Sequence, residues 1–266
     1  MKLTVKEANF RYHDRSDWLY MNDVSFSLAP GEVLAIIGPN GAGKTTLLKC
    51  MTGLLDWKKG ETLIDDRPLK KWPTRKLWQK IGYVPQARNL AFSFTLEEFV
   101  VMGLAPLLGP FETPSDIHRL RALEALEEVG IRHLAKASVR EVSGGELQLA
   151  FIARALISEP ELLIFDEPES HLDIQKQMTI IETIERLVRT RNVSCIMNTH
   201  YPNHAAYLAD RVALVAPNEP VTIGATEQLL TEEMIERYFG LRVIQIEKTT
   251  EEGKYRSFVP QQLRNM

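Results

Sequence analysis

Gly38-Pro39-Asn40-Gly41-Ala42-Gly43-Lys44-Thr45 fits the pattern G-x-x-x-x-G-K-[ST]. It follows the continuous apolar run Val33-Leu34-Ala35-Ile36-Ile37 and precedes residues 45–54, which read as a helix. Strand, glycine turn and helix in that order make a phosphate-binding loop. Glycines let the backbone curl until successive N–H groups converge, and the helix adds the positive end of its dipole. Lys44 is placed to neutralise β- and γ-phosphates, and the Thr45 hydroxyl to ligate Mg²⁺.

A second chemical signal lies further along. Leu162-Leu163-Ile164-Phe165-Asp166-Glu167 is an apolar strand that ends in two carboxylates. Burying an unpaired carboxylate is costly, so packing alone does not explain the pair. Asp166 is placed to hold the magnesium shell. Glu167, one residue on, projects toward the γ-phosphate to orient or deprotonate the attacking water.

Around these two signals, residues 3–10, 24–28, 62–64, 81–84, 193–197 and 212–215 read as strands, with Gly60 breaking the pattern before one of them. Residues 96–102 and 117–129 read as helices, the second with Leu120, Leu123 and Leu126 at three-residue spacing. Residues 174–189 read as another, with Ile174, Met178, Ile181, Ile184 and Val188 on one face. Strands alternating with helices predict an α/β fold with a parallel sheet, and the helix-only stretch 92–158 predicts an inserted helical lobe. After His200 the pattern gives a strand near Val212, a helix over 232–239 and a hairpin over 243–259.

Composition removes other classes. At 266 residues, 44% hydrophobic and 25% charged, the chain has apolar mass for a substantial core. Its 32 basic and 35 acidic residues leave a net −3, so no global field recommends nucleic acid and any anion site is local. Cys50 and Cys195 lie in apolar segments without C-x-x-C spacing and read as core residues of a reduced, cytosolic chain. No stretch approaches the roughly 20 apolar residues of a membrane span, and residues 1–7 lack the apolar core of a signal peptide.

Between the two signals stands Val142-Ser143-Gly144-Gly145-Glu146, which read alone is a helix N-cap. Its order supplies more: phosphate loop, Gln86 after a strand, Ser-Gly-Gly, paired carboxylates, Ser170-His171-Leu172-Asp173, then His200 after another strand. In that series, from Tyr12 to His200, the chain resembles the nucleotide-binding subunit of an ABC transporter. The resemblance implies a P-loop NTPase fold of the ABC type: a mainly parallel core sheet, an N-terminal antiparallel β subdomain and an inserted helical subdomain. As a single domain over 1–266 it would comprise a core at 1–91 and 159–240, helices at 92–158 and a β appendage at 241–266.

By the same resemblance ATP would lie on Tyr12, Gly38, Pro39, Asn40, Gly41, Ala42, Gly43, Lys44, Thr45 and Thr46, with Tyr12 stacked on adenine. Mg²⁺ would be held by Thr45, Gln86 and Asp166. Glu167 and His200 would be catalytic, His200 on the γ-phosphate. Ser143, Gly144, Gly145 and Glu146 would bind the ATP of a second copy, with Asp173 coupling the homodimer. Structural alternatives remain: Tyr12 as a half-buried strand aromatic, Gln86 as a polar residue at a strand end, His200 as a satisfied histidine. His13, His118, His133 and His204 read as surface or packing residues.

Met102-Gly103-Leu104-Ala105-Pro106, Ser170 to Ile174 and Thr199-His200-Tyr201-Pro202-Asn203 look like the importers of iron–siderophores, haem and cobalamin. Molybdate or tungstate importers, and the soluble ABC-type ATPase of Fe–S cluster assembly, are the alternatives. The chain would then sit peripherally on the cytoplasmic face of the inner membrane. It would work with polytopic permease subunits and indirectly with a substrate-binding protein, and no nucleic acid is expected. Residues 99–108 either dock on the permease or pack within the lobe. Val142, Glu146, Leu104 and Glu169 depart from the usual leucine, glutamine, arginine and threonine, and Glu169 adds a negative charge beside Glu167.

Overall fold

The structure, a computed structural model, describes residues 1–12, 21–86, 93–109, 112–217, 219–250 and 253–261. His13, position 92 and the tail beyond Gln261 lie outside the described residues. In chain order the elements begin with β1 (Leu3–Phe10), β2 (Met21–Leu28), β3 (Val33–Ile37), α1 (Lys44–Met51), β4 (Lys59–Ile64) and β5 (Arg67–Pro68). They continue with α2 (Thr74–Lys80), β6 (Ile81–Val84), α3 (Leu96–Val101), α4 (Asp116–Glu128), α5 (Gly144–Leu156), β7 (Leu162–Asp166) and α6 (Ile174–Arg191). The last are β8 (Ser194–Thr199), α7 (Pro202–Leu208), β9 (Arg211–Leu214), β10 (Thr222–Ala225), α8 (Thr226–Leu229), α9 (Glu232–Phe239), β11 (Val243–Thr250) and β12 (Gly253–Pro260). Contacts divide the chain into two compact units, Met1–Lys71 with Ile196–Met266, and Trp72–Cys195.

In the first unit β2, β1, β4 and β5 form an antiparallel sheet in that order, with Leu3 opposite Leu28 on one side and Ile64 on the other. Gly60 does not precede the strand but lies inside β4. Its φ is +77°, and a Cβ there would meet the Lys6 carbonyl oxygen at 2.3 Å. It marks a bulge against β1 between Lys6 and Asn9, where a bare backbone lets the two chains approach. All five residues of β3 are buried, and β3 runs parallel to β9, which pairs antiparallel with β10. Ala35 and Ile37 of β3 share a buried cluster with Ala205, Val212, Leu214, Leu230, Ile235 and Tyr238. Ala216 and, from the β11–β12 hairpin, Val243 and Phe258 complete it.

In the second unit β6 and β7 run parallel, with Ile81 opposite Leu162 and Val84 opposite Phe165. Helices α3, α4 and α5 pack on one another. Phe99 and Phe151 meet edge to face at 4.9 Å, and the Arg154 guanidinium lies over both rings at 4.8 and 4.7 Å. The expected α/β class holds, with parallel pairs, an N-terminal antiparallel sheet and a helical stretch.

Two expected helix faces are corrected. On α4 the buried residues are Ala122, Ala125 and Leu126, whereas Leu120 is 58% exposed. Steps of three fall short of a 3.6-residue turn, so a run at 120, 123 and 126 precesses off any fixed face. On α6, Ile180, Ile181, Ile184, Leu187 and Val188 are buried, but Ile174 is 80% exposed in the first turn. Among the described residues no helix is long and apolar enough to cross a membrane.

Candidate active site

The glycine loop of the first unit is shaped by steric necessity. A Cβ on Gly38 would stand 1.9 Å from the Val215 carbonyl oxygen, at the end of β9. Gly41 has φ +78° and Gly43 +100°, angles that glycine adopts at little cost. Gly43 is the left-handed N-cap of α1, no side chain caps that helix, and its first turn holds no acid. Its leading amides are therefore presented to an anion. Lys44 is only 4% exposed, and its ammonium donates to the carbonyls of Gly38 at 3.0 Å and Pro39 at 3.2 Å. Ala42 and Thr46 are buried, Pro39 and Thr45 partly so, and Asn40 is exposed.

Tyr12 is 49% exposed, edge-on to Phe10 at 5.0 Å, and its hydroxyl shares a hydrogen bond with that of Thr46 at 2.8 Å. The structure thus joins Tyr12 to the start of α1 and leaves its ring open for stacking. In the same unit His200 follows β8 directly. Its ring lies 4.0 Å from that of Tyr201, which lies 4.8 Å from that of His204. The Tyr201 amide donates to the Thr199 hydroxyl at 3.0 Å.

In the second unit Asp166 ends β7, and Glu167 follows with φ +51°. That left-handed conformation costs energy in a residue with a side chain and is found most where function holds it. The Ser170 hydroxyl donates to Glu167 Oε2 at 3.2 Å, fixing the carboxylate. Glu169, the departure noted beside it, is fully buried. Gln86 lies two residues past β6, partly exposed. Pro85 before it accepts from Gln148 of α5 at 3.5 Å.

Ser143 is the N-cap of α5: its hydroxyl accepts from the Glu146 amide, and Glu146 Oε2 accepts from the Ser143 amide at 2.7 Å. Hydrogen bonds that the Glu146 carboxylate accepts from the Ser143 hydroxyl and amide hold that carboxyl below its ordinary value. The unusual Glu146 thus completes a capping box. A Cβ on Gly144 would touch Leu172 at 3.4 Å, and one on Gly145 would touch Lys176 at 3.1 Å. Asp173 caps α6 through the Lys176 amide at 2.9 Å, so the structure brings residues 143–146 together with the start of α6.

Sequence reasoning missed Tyr83. From β6 its hydroxyl donates to Asp166 Oδ2 at 3.0 Å. Burial, then the charge and hydrogen bond of Asp166, push the phenol well above its ordinary pKa. Strand parity was the available signal: Tyr83 sits opposite Ile164, two residues before Asp166 and on the same face. Both cysteines are buried, and burial followed by the charge of Asp56 pushes the Cys50 thiol up to about 12. His118 caps the Ser115 amide and His204 is buried.

Residues 99–108 are partly buried in the helical stretch and partly exposed. Phe99, Val100, Val101 and Leu104 are buried, while Met102 and Leu107 are 41% and 37% exposed. Met102, Gly103 and Pro106 line a cleft of about 240 Å³ with Trp78, Tyr83 and Arg154. Arg75 donates to the carbonyls of Pro106, Leu107 and Leu108, and Gln79 to that of Pro106. These bonds fix the rim of the cleft.

The family profile described as ABC transporter matches residues 21–170. The chain belongs to the ABC transporter family. The hemin import ATP-binding protein of Myxococcus xanthus is 38% identical over 234 residues, 85% of this chain and 86% of that one. The molybdate import ATP-binding protein of Haemophilus influenzae is 30% identical over 258 residues, 97% of this chain and 96% of its own. Among solved structures, an inward-facing metal-chelate type ABC transporter aligns with a TM-score of 0.87 at 29% identity, covering 99% of each chain. The dimeric structure of a bacterial ABC transporter cassette aligns with a TM-score of 0.72 at 26% identity, over 84% of this chain and 98% of that one. As an ABC ATPase, the chain binds and hydrolyses ATP.

Proposed function

We propose that this ABC ATPase powers import of a metal chelate (iron–siderophore, haem or cobalamin) through a separate membrane permease. The observation that carries the reading is the likeness to the metal-chelate type transporter over 99% of both chains. The likeness to a hemin import protein supports it. A molybdate importer is the second reading, favoured by a relative that matches 97% of the chain. In either case the ATPase works as a homodimer on the cytoplasmic face of the membrane.

In this reading the loop amides of residues 38–45 and the Lys44 ammonium take the phosphates, and Tyr12 stacks on adenine. Thr45, Gln86 and Asp166 offer oxygen donors, which suit Mg²⁺ held partly by phosphates, and the ion when bound neutralises charge on them. Tyr83 holds Asp166 by its hydrogen bond. Glu167 accepts the proton of the attacking water, its carboxylate aimed by the turn at φ +51° and by Ser170. His200 contacts the γ-phosphate. Residues 143–146 contact the ATP of the second copy, and Asp173 couples the two. The cleft beside Met102 and Pro106 receives a permease segment, for which its apolar lining and braced rim are suited.

Glu167→Gln tests the chemistry. Turnover falls by at least about a hundredfold while ATP binding persists and an ATP-bound dimer accumulates in gel filtration. Near-normal phosphate release would remove Glu167 as the base. For the cargo, the complex purified from detergent-solubilised membranes is assayed for ATPase stimulation by a binding protein loaded with haem, siderophore, cobalamin or molybdate. Stimulation by molybdate alone selects the second reading.

A further inference from the structure

The β11–β12 hairpin stands outside every role assigned so far, yet it is fastened to the nucleotide-bearing elements of its own unit. Val243 and Phe258 on its inner face share the buried cluster with Ala35 and Ile37 of β3, the strand that launches the glycine loop. Arg256 of β12 donates to the carbonyls of Thr226, Glu227 and Leu230 and so clamps α8. Gln245 and Phe258 face each other across the hairpin, and the backbone groups of both turn outward to side chains. The Gln245 amide donates to Glu232 Oε1. The Phe258 amide donates to Asn203 Oδ1 at 2.7 Å, and Asn203 Nδ2 returns a bond to the Phe258 carbonyl at 3.4 Å.

Asn203 lies three residues after His200, in the first turn of α7, a helix that no side chain of its own caps. Between them the Tyr201 ring lies against those of His200 and His204. The hairpin is thus fastened to β3, α8 and α9 as well as to α7, whose Ala205 shares the buried cluster, and the Asn203 amide adds a polar tie three residues from His200. We propose that Asn203 is a positioning residue for His200 and that the C-terminal hairpin is the fixed post against which it sets the histidine. This rests on the assignment of His200 to the γ-phosphate.

The test compares Asn203→Ala, Asn203→Asp and His200→Ala in the full chain, measuring kcat, KM for ATP and melting temperature. One net hydrogen bond predicts that Asn203→Ala lowers kcat about fivefold while KM for ATP stays within about twofold. The melting temperature falls by only about 2–4 °C, the effect of one net hydrogen bond in a chain of this size. Asn203→Asp keeps the acceptor for the Phe258 amide and restores most of the turnover. If His200→Ala loses turnover and Asn203→Ala does not, the brace is overturned and the histidine assignment stands. A parallel rise in KM and a larger fall in melting temperature without rescue by aspartate also overturns it. Wild-type turnover in His200→Ala removes the assignment itself.

Discussion

Two helices of this protein start from small residues, and their N-termini are built in opposite ways. Helix α1 leaves Gly43 at φ +100° with no capping side chain and no acid in its first turn. Helix α5 has Ser143 and Glu146 bonded to each other's amides. Four amides at a helix start lack intrahelical partners. In α1 the positive end is left for an anion, whereas in α5 the protein supplies its own acceptors and a carboxylate. The first start announces a ligand from local chemistry alone. The second is a finished cap, and the ATP contact proposed for it would be made with a second copy.

The largest effects break the first start. Gly38→Ala places a methyl 1.9 Å from the Val215 carbonyl oxygen, a backbone atom that moves only with the end of β9. The expected loss is about 3 kcal/mol of stability, with ATP binding lost as the loop shifts. Gly41→Ala meets nothing within 4 Å and bears only the left-handed φ, about 1 kcal/mol. Urea unfolding and calorimetric ATP titration read both. Equal losses at the two positions would show that loop geometry, rather than contact with β9, is what Gly38 protects.

Ser143→Ala tests the second start. Loss of a cap costs about 1 kcal/mol, seen as a lowered urea midpoint. ATP affinity measured at dilutions where the chain is monomeric stays at the wild-type value. A loss of monomer affinity comparable to that of Gly38→Ala would erase the distinction between the two helix starts.

What could be read from the residues follows the same division. The glycine loop and the strand ending at Asp166 are legible because each is local, a few residues whose conformations and charges explain one another. The faces of α4 and α6 were misassigned at Leu120 and Ile174, both exposed, because apolar content does not say where a helix leaves the core. The bonding roles of Tyr83 and Asn203 went unread for a different reason. Each acts through a hydrogen bond to a residue more than fifty positions away, Asp166 and Phe258, and only strand register or tertiary packing brings those partners close. Gly60 was read as a break because a bulge looks the same as a strand end until its partner strand is in place.

The smallest effect separates the two starts by pH. Hydrogen bonds from the Ser143 hydroxyl and amide hold the folded Glu146 carboxyl below its ordinary value. A depressed carboxyl contributes stability that is complete above its unfolded pKa, about 4.3, and is lost as the pH falls through the lower folded value. Glu146→Gln keeps an acceptor for the Ser143 amide but removes the charge at the positive end of α5, which costs about 0.5 kcal/mol at pH 7. Acid protonates the wild-type carboxyl at position 146 and leaves the glutamine there unchanged, so the gap between the two urea midpoints closes as the pH drops below about 4. A gap that stays constant from pH 7 to 3 would mean that Glu146 acts by shape alone. In α1, which has no acid in its first turn, no corresponding term exists. Acid therefore weakens the finished cap and leaves the open one untouched.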